Sequence, residues 1–278
     1  MQMIRCLMRV MLMWPLVLSG QASAQSAPPS AQSGVTSQTQ SSALSGFGIV
    51  LLHGKGSTPT SMIEGLSNAL KKEGALVDAP EMPWSQRRIY DATYDAAMVE
   101  IDRAVERLKV AGAARIVVAG HSLGANAAIG YAARQQNLAA VIALAPGHLP
   151  EAWALRLRTK SAIAKARQLV AEGKGDVPTS FPDLAQGIPF QVTATPSVYL
   201  SMFDPAGPAV IPKNAAMIGD VPLLWVVGIG DPIFLHGRDY AFTLAAKDPR
   251  SKYLVIPGLH LTTPFQARRA VVDWLKSL

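Results

Sequence analysis

The segment Gly120-His121-Ser122-Leu123-Gly124 has the residue types and spacing for covalent chemistry. It follows a β-branched run at 115–119 and opens an alanine-rich stretch of helical spacing at 123–134. A Gly-x-Ser-x-Gly turn between a strand and a helix is a nucleophile elbow. The turn is too tight for side chains at its flanks, which accounts for glycine at 120 and 124, and it thrusts the Ser122 hydroxyl above the sheet edge. The helix start adds unpaired N–H groups and a favourable dipole beside that hydroxyl. The competing reading is a glycine-rich turn carrying an ordinary serine.

A serine hydroxyl is a poor nucleophile until a base takes its proton, and the base needs an acid to orient it. Five histidines are available. His260 follows an apolar run at 253–256 through Pro257-Gly258-Leu259, so it is expected at the same sheet edge as Ser122. His148, in Ala145-Pro146-Gly147-His148, also lies past a strand end and reads as a pocket-lining residue or a turn cap. His121 precedes the nucleophile, points away from it, and reads as packing. His236 reads as surface. Asp231 is the leading acid, at the glycine-rich exit of the run at 222–227. Its alternative role is turn formation before Pro232. Asp204 is the second choice, and Asp239 and Asp248 read as helix or turn residues.

These residues need a frame. Apolar runs of strand length stand at 47–52, 75–78, 115–119, 141–144, 222–227 and 253–256. Between or after them lie helical spacings at 60–73, 92–110, 123–134 and about 264–275. Continuous apolar strands separated by helices imply a mostly parallel sheet covered on both faces, an α/β fold. Right-handed crossovers bring the strand C-termini to one edge, where sites form. Residues 149–215 interrupt the alternation with a helix at about 151–172 and then proline-rich, irregular sequence, which reads as a cap over that edge. Phe181, Phe190, Tyr199, Met202 and Phe203 either roof the site or pack the cap itself. Residues 151–174 carry six cations against Glu151 and Glu172, which reads as a solvated face or one attractive to anionic surfaces or substrates.

The elbow and Leu51-Leu52-His53-Gly54 resemble the α/β-hydrolase family, in its lipase- or esterase-like form, over residues 47–148 and 220–278. The cap matches no subfamily pattern. The resemblance implies a serine–acid–histidine triad in that chain order, hence Ser122, Asp231 and His260, with an oxyanion hole and no cofactor. Its glycine-rich acid loop matches the approach to Asp231. Two backbone N–H groups must face the developing oxyanion. Leu123 would supply one and Lys55, in the turn begun by His53, the other, with His53 hydrogen-bonding that turn. The Lys55 side chain is expected in solvent, the other possibility being a contact to an anionic substrate group. Trp84, in the loop after the second strand, lines the acyl pocket or simply packs. Epoxide-hydrolase and dehalogenase chemistry is disfavoured, since those relatives carry aspartate at the elbow.

The expected activity is hydrolysis of a small-molecule carboxylic ester. Thioesterase, amidase or peptidase and acyltransferase chemistry are alternatives on the same triad, and a non-catalytic binding protein is the alternative of another class. No nucleotide loop, dinucleotide fingerprint or metalloprotease helix is present in the sequence, and nothing in it indicates a nucleic-acid partner.

The ends of the reading are compositional. Residues 1–24 pair Arg5 and Arg9 with a short apolar core and end in Ala22-Ser23-Ala24, the form of a cleavable secretory signal. The core is about half the ~20 residues that a membrane span needs, so no stable anchor is expected. Removal would take away Cys6, the single cysteine, and lower the net charge from +7 to +5. Residues 25–45 contain eleven Ser or Gln and no charge, which reads as a flexible linker. The hydrolase domain is expected over 46–278, in the periplasm or outside the cell.

Overall fold

The computed structural model describes residues 42–135 and 137–278. The expected signal segment, and the linker up to residue 41, lie outside the described residues. The compact unit is Ser41–Leu278. It begins before Gly46, because Leu44 is fully buried and its N–H donates to the Glu73 carbonyl at 2.8 Å.

Eight strands and nine helices are described, in the order β1 (Phe47–Leu52), α1 (Glu64–Lys72), β2 (Leu76–Asp78), α2 (Tyr94–Val110), β3 (Arg115–His121), α3 (Leu123–Ala132) and β4 (Ala140–Leu144). They continue with α4 (Trp153–Ala171), β5 (Thr179–Ala185), β6 (Ile188–Ala194), α5 (Pro196–Phe203) and α6 (Ile211–Met217). The chain closes with β7 (Leu223–Gly228), α7 (Phe242–Ala245), β8 (Lys252–Ile256), α8 (Thr263–Gln266) and α9 (Arg268–Lys276). Six strands form one parallel sheet in the order β2-β1-β3-β4-β7-β8. Alternation along each strand feeds two cores. Val50, Leu52, Val118, Val141 and Trp225 face α2, α3 and the cap, while Ile49, Leu51, Val117, Ile142 and Val226 face α1 and α9. Burial on both faces is why these strands read as unbroken apolar runs.

The chain runs from β1 outward to β2, then returns to place β3 on the other side of β1. The exits of β1 and β3 therefore flank the point where strand order reverses, the crevice in which open α/β sheets bind ligands.

The cap differs from its expected irregular form. After α4 the chain makes an antiparallel hairpin, β5–β6, pairing Asp183 with Phe190 and Ala185 with Ile188. Its two-residue loop, Gln186-Gly187, has φ of 50° and 78°, both left-handed. Loops with both central residues left-handed follow the right-handed twist of a two-stranded ribbon. α5 and α6 then return the chain to β7. Phe181, Tyr199 and Phe203 stack in series with ring centroids 4.3 Å apart and fully buried, so these aromatics pack the cap rather than roof the site. On α4 the cationic face is exposed, with Arg167 paired to Asp204 at 2.7 Å.

Candidate active site

Ser122 stands between β3 and α3 with φ 56° and ψ −120°, a strained backbone for a residue with a side chain. A Cβ placed on Gly120 would lie 2.2 Å from the Gly124 carbonyl carbon, and one on Gly124 would lie 2.4 Å from the Leu52 oxygen. Only glycine at both positions lets strand, helix and the β1 exit meet this closely. Every residue of α3 is buried, which its run of alanines permits.

His260 Nε2 accepts from the Ser122 hydroxyl at 2.9 Å, and His260 Nδ1 donates to Asp231 Oδ2 at 2.8 Å. His260 and Asp231 are 6 % and 3 % exposed, so their contact is shielded from bulk water, while Ser122 is half-buried and faces a cavity. The second Asp231 oxygen accepts from the Ile233 N–H at 3.0 Å, which fixes the carboxylate plane. Pairing of β7 with β8 continues past the strands, from Ile229 N–H to Ile256 and from Gly230 N–H to Gly258, and this sets the acid loop beside the histidine loop. Asp204 lies away in the cap, bound to Arg167, and Asp248 pairs with Arg250. Asp239 is exposed.

His121 Nε2 donates to the carbonyl of His260 at 2.9 Å. Burial, then the neighbouring His260, lower its pKa to about 4, so the ring is neutral near pH 7. Beyond packing, it holds the backbone of His260. His53 accepts the Met82 N–H on Nε2 at 3.0 Å and so donates from Nδ1 to the Gly54 carbonyl at 2.8 Å. That agrees with its expected role in the turn. Desolvation lowers its pKa as well.

The N–H groups of Leu123 and Lys55 have no acceptor among the described residues. Leu123 heads the unpaired first turn of α3. The turn bearing Lys55 abuts the elbow, as the close approach of Gly124 to the Leu52 and His53 carbonyls requires. Two neighbouring unpaired N–H groups beside an activated hydroxyl can hold an oxyanion.

Two expectations are corrected here. Lys55 does not extend into solvent. Its ammonium pairs with Asp183 Oδ1 at 2.6 Å and donates to the Leu184 carbonyl at 3.1 Å, with side-chain exposure of 11 % and 0 % for the pair. Asp183 also accepts from the Tyr90 hydroxyl at 3.1 Å and from the Leu184 N–H at 2.6 Å. Desolvation lowers the lysine pKa against the pull of the carboxylate. From the turn after β1 the lysine stem reaches the cap, where the fully buried Asp183 holds it. Trp84 borders neither the cavity at Ser122 nor the one beside Asp231. It is 1 % exposed, and its indole N–H donates to the His53 carbonyl at 2.8 Å while its own carbonyl accepts from Gly56 N–H. Trp84 braces the His53–Lys55 turn from below.

His148 borders both cavities. It adopts φ 61°, donates from Nε2 to the Met202 carbonyl at 2.8 Å, and meets Phe203 edge-on. Burial and the Lys55 charge lower its pKa to about 3. Asn126, on α3, donates to the carbonyls of His148 and Ala209, each at 2.8 Å, and accepts from Tyr94. Nothing in the sequence singled out Asn126 or Asp183. His236 is exposed, as expected, and sits at the end of the short 3-10 turn Pro232–His236. No group of three or more metal-ligating side chains occurs among the described residues.

The model of the alpha/beta hydrolase family matches residues 49–274. The chain belongs to that family. No curated protein matches it by sequence. Among solved structures of the fold, a metagenome-derived lipolytic enzyme superposes with a TM-score of 0.61 at 14% identity, covering 84% of this chain and 95% of that one. A monoacylglycerol lipase from Paleococcus ferrophilus gives 0.58 at 24% identity, covering 83% and 94%. An esterase from Pyrococcus furiosus gives 0.58 at 19% identity, covering 84% and 83%. At these identities the likeness establishes the fold, and chemistry must be argued from the residues themselves.

Proposed function

We propose that the protein is an exported serine esterase that cleaves a carboxylic ester through an acyl-enzyme. The observation that carries this reading is the relay from Ser122 Oγ to His260 Nε2 at 2.9 Å and from His260 Nδ1 to Asp231 Oδ2 at 2.8 Å. In the first half-reaction the Ser122 oxygen bonds to the ester carbonyl carbon as His260 takes its proton. The oxyanion rests on the N–H groups of Leu123 and Lys55. The carbon–alkoxide bond then breaks, and the alcohol leaves with the proton held by His260. In the second half a water gives a proton to His260 and attacks the acyl carbon, releasing the acid and restoring the serine hydroxyl. Asp231 holds the imidazole in the tautomer with Nδ1 protonated and balances its charge while it is an imidazolium. An uncharged acyl-oxygen ester needs no metal or redox group for this sequence. Export rests on the signal-like residues 1–24.

One experiment tests both halves. A fluorophosphonate probe is applied to periplasmic and culture fractions of an expressing cell, and aliphatic esters, thioesters and amides are assayed with the purified protein. The expected outcome is an exported species beginning at Gln25 that is labelled in the wild type but not in Ser122→Ala, with esters turned over fastest. A folded protein that takes no label sinks the mechanism. Preferred thioester or amide turnover reassigns the substrate, and a labelled species confined to the cytoplasm removes export.

A further inference from the structure

Two cavities meet at His260 and Gly147, the smaller of them bordered by Ser122, and both are bordered by the tip of the β5–β6 hairpin. The smaller, about 130 Å³, is bounded by Lys55, Ser57, Met62 and Leu261 on the side of the oxyanion turn. The larger, about 360 Å³, runs beside the catalytic acid and is bounded by Leu149, Ala152, Leu155 and Ile233. Both share Gly147, His148 and His260 on the sheet side and Leu184 and Gln186 on the cap side. The shared wall is the hairpin tip. It is held by the buried Lys55–Asp183 pair, which anchors the residue preceding Leu184 to the oxyanion turn.

We infer that the hairpin tip sorts the two arms of the substrate by size, so that the preferred ester has one short arm and one medium-length, unbranched apolar arm. This rests on the serine-esterase reading above and adds to it the substrate class. At about 30 Å³ for a water-sized group, close to the share of one methylene, the smaller cavity accepts about four heavy atoms and the larger about twelve. The walls match the sizes. The short compartment is bordered by Lys55 and Ser57 as well as Met62, while the long one exposes mostly apolar surface, with Leu149, Ala152, Leu155 and Ile233 in its wall and its polar groups, Asp231, His236 and His260, on the side of the acid loop. An arm in the long compartment therefore gains from each methylene taken out of water, and an arm in the short one gains nothing after it is full. His260 borders both, so the leaving oxygen can reach its Nε2 from either side, and size alone separates the arms.

The test uses two series of aliphatic esters followed by pH-stat titration: methyl esters of acids of rising length, and acetates of alcohols of rising length. In one series kcat/KM should climb by up to about fourfold per methylene and level off once the varied arm reaches about twelve heavy atoms, where the larger cavity is full. In the other it should fall once the varied arm exceeds about four heavy atoms. Ala152→Trp and Ala154→Trp place an indole against the wall of the larger cavity from the start of α4, where neither parent side chain is in the core. Each should shorten the preferred long arm. Equal length preferences in the two series, or an optimum unmoved by both variants, overturn the size-sorting inference alone when Ser122 still takes the fluorophosphonate label. Loss of all ester turnover together with absence of label overturns the esterase reading and the inference with it.

Discussion

Replacing Asp183 by alanine should destabilise the protein by about 4 kcal/mol, a large share of the roughly 5–15 kcal/mol that holds a folded protein together. The carboxylate is fully buried and accepts from three donors: the Lys55 ammonium, the Tyr90 hydroxyl and the Leu184 N–H. Removing one partner of a buried ion pair costs about 3–5 kcal/mol, because the remaining charge is left without water or counter-ion. Each further buried donor left unpaired adds about 1–3 kcal/mol. Against this, Lys55 already has its pKa lowered by burial and can shed its proton, which removes the charge and leaves the smaller penalty of a neutral amine. The sum stays near the ion-pair figure.

A loss of this size should lower the thermal midpoint by about 8–16 °C for a domain of this length. Equilibrium urea denaturation and calorimetry of the wild type, Asp183→Ala and the double variant Lys55→Met with Asp183→Asn measure it. The double variant removes the charge pair and keeps an amide oxygen for Tyr90 or Leu184, so it should recover all but about 1 kcal/mol. A loss below about 1 kcal/mol in Asp183→Ala would show that the pair is solvated and refute the reasoning. A double variant as unstable as the single one would show that the neutral donors, not the charge, dominate.

Two further outcomes follow from single positions. His121 is held neutral down to about pH 4, whereas an unfolded histidine takes up its proton near pH 6.5. Between those values the unfolded chain binds a proton the native chain refuses, so stability is complete above pH 6.5 and declines as the pH falls, by about 3 kcal/mol at pH 4. His148, lowered further still, adds in the same direction. Thermal midpoints from pH 8 to pH 4.5 should fall steeply in the wild type and less steeply in His121→Asn, and equal slopes would exclude the residue. A Cβ on Gly147 would stand 2.8 Å from Ser122 Oγ and 3.2 Å from His260 Cε1. Gly147→Ala should therefore lower kcat/KM about a hundredfold or more by displacing the reacting pair, with little change in thermal midpoint. Unaltered labelling kinetics in that variant would contradict the geometry.

The frame was legible because it obeys short-range rules. The four central strands, β1, β3, β4 and β7, stand out as apolar runs because both faces are covered, the edge strands β2 and β8 are half-exposed yet still mostly apolar, and the elbow stands out because its glycines have steric causes local to the turn. The cap hairpin was hidden for equally physical reasons. Its loop is Gln186-Gly187 instead of the Asn-Gly or Asp-Gly pair that marks such turns. Pro182 and Pro189 fall inside its strands, where a proline argues against pairing. A lone two-stranded ribbon tolerates them, since each strand has an unpaired edge. Asp183 was hidden with the hairpin, because an aspartate between Pro182 and Leu184 has no partner until the fold brings Lys55 across from residue 55.

That contact gives Lys55, in the turn proposed to hold the oxyanion, a different part from the one its sequence suggests. A lysine beside a nucleophile invites the idea of an anion-seeking group, and its neighbours in sequence, Gly54 and Gly56, give no reason to think otherwise. Its charge is already spent on Asp183, and its ammonium is committed to the hairpin backbone through Leu184 as well. What Lys55 can offer a substrate is its backbone N–H, while its side chain fixes how far the cap stands from that N–H. The same residue would thus join the group that stabilises the reacting oxygen to the wall that measures the substrate. In Lys55→Met the wall should loosen although the backbone donor is retained, so length discrimination should weaken before turnover of the shortest ester does.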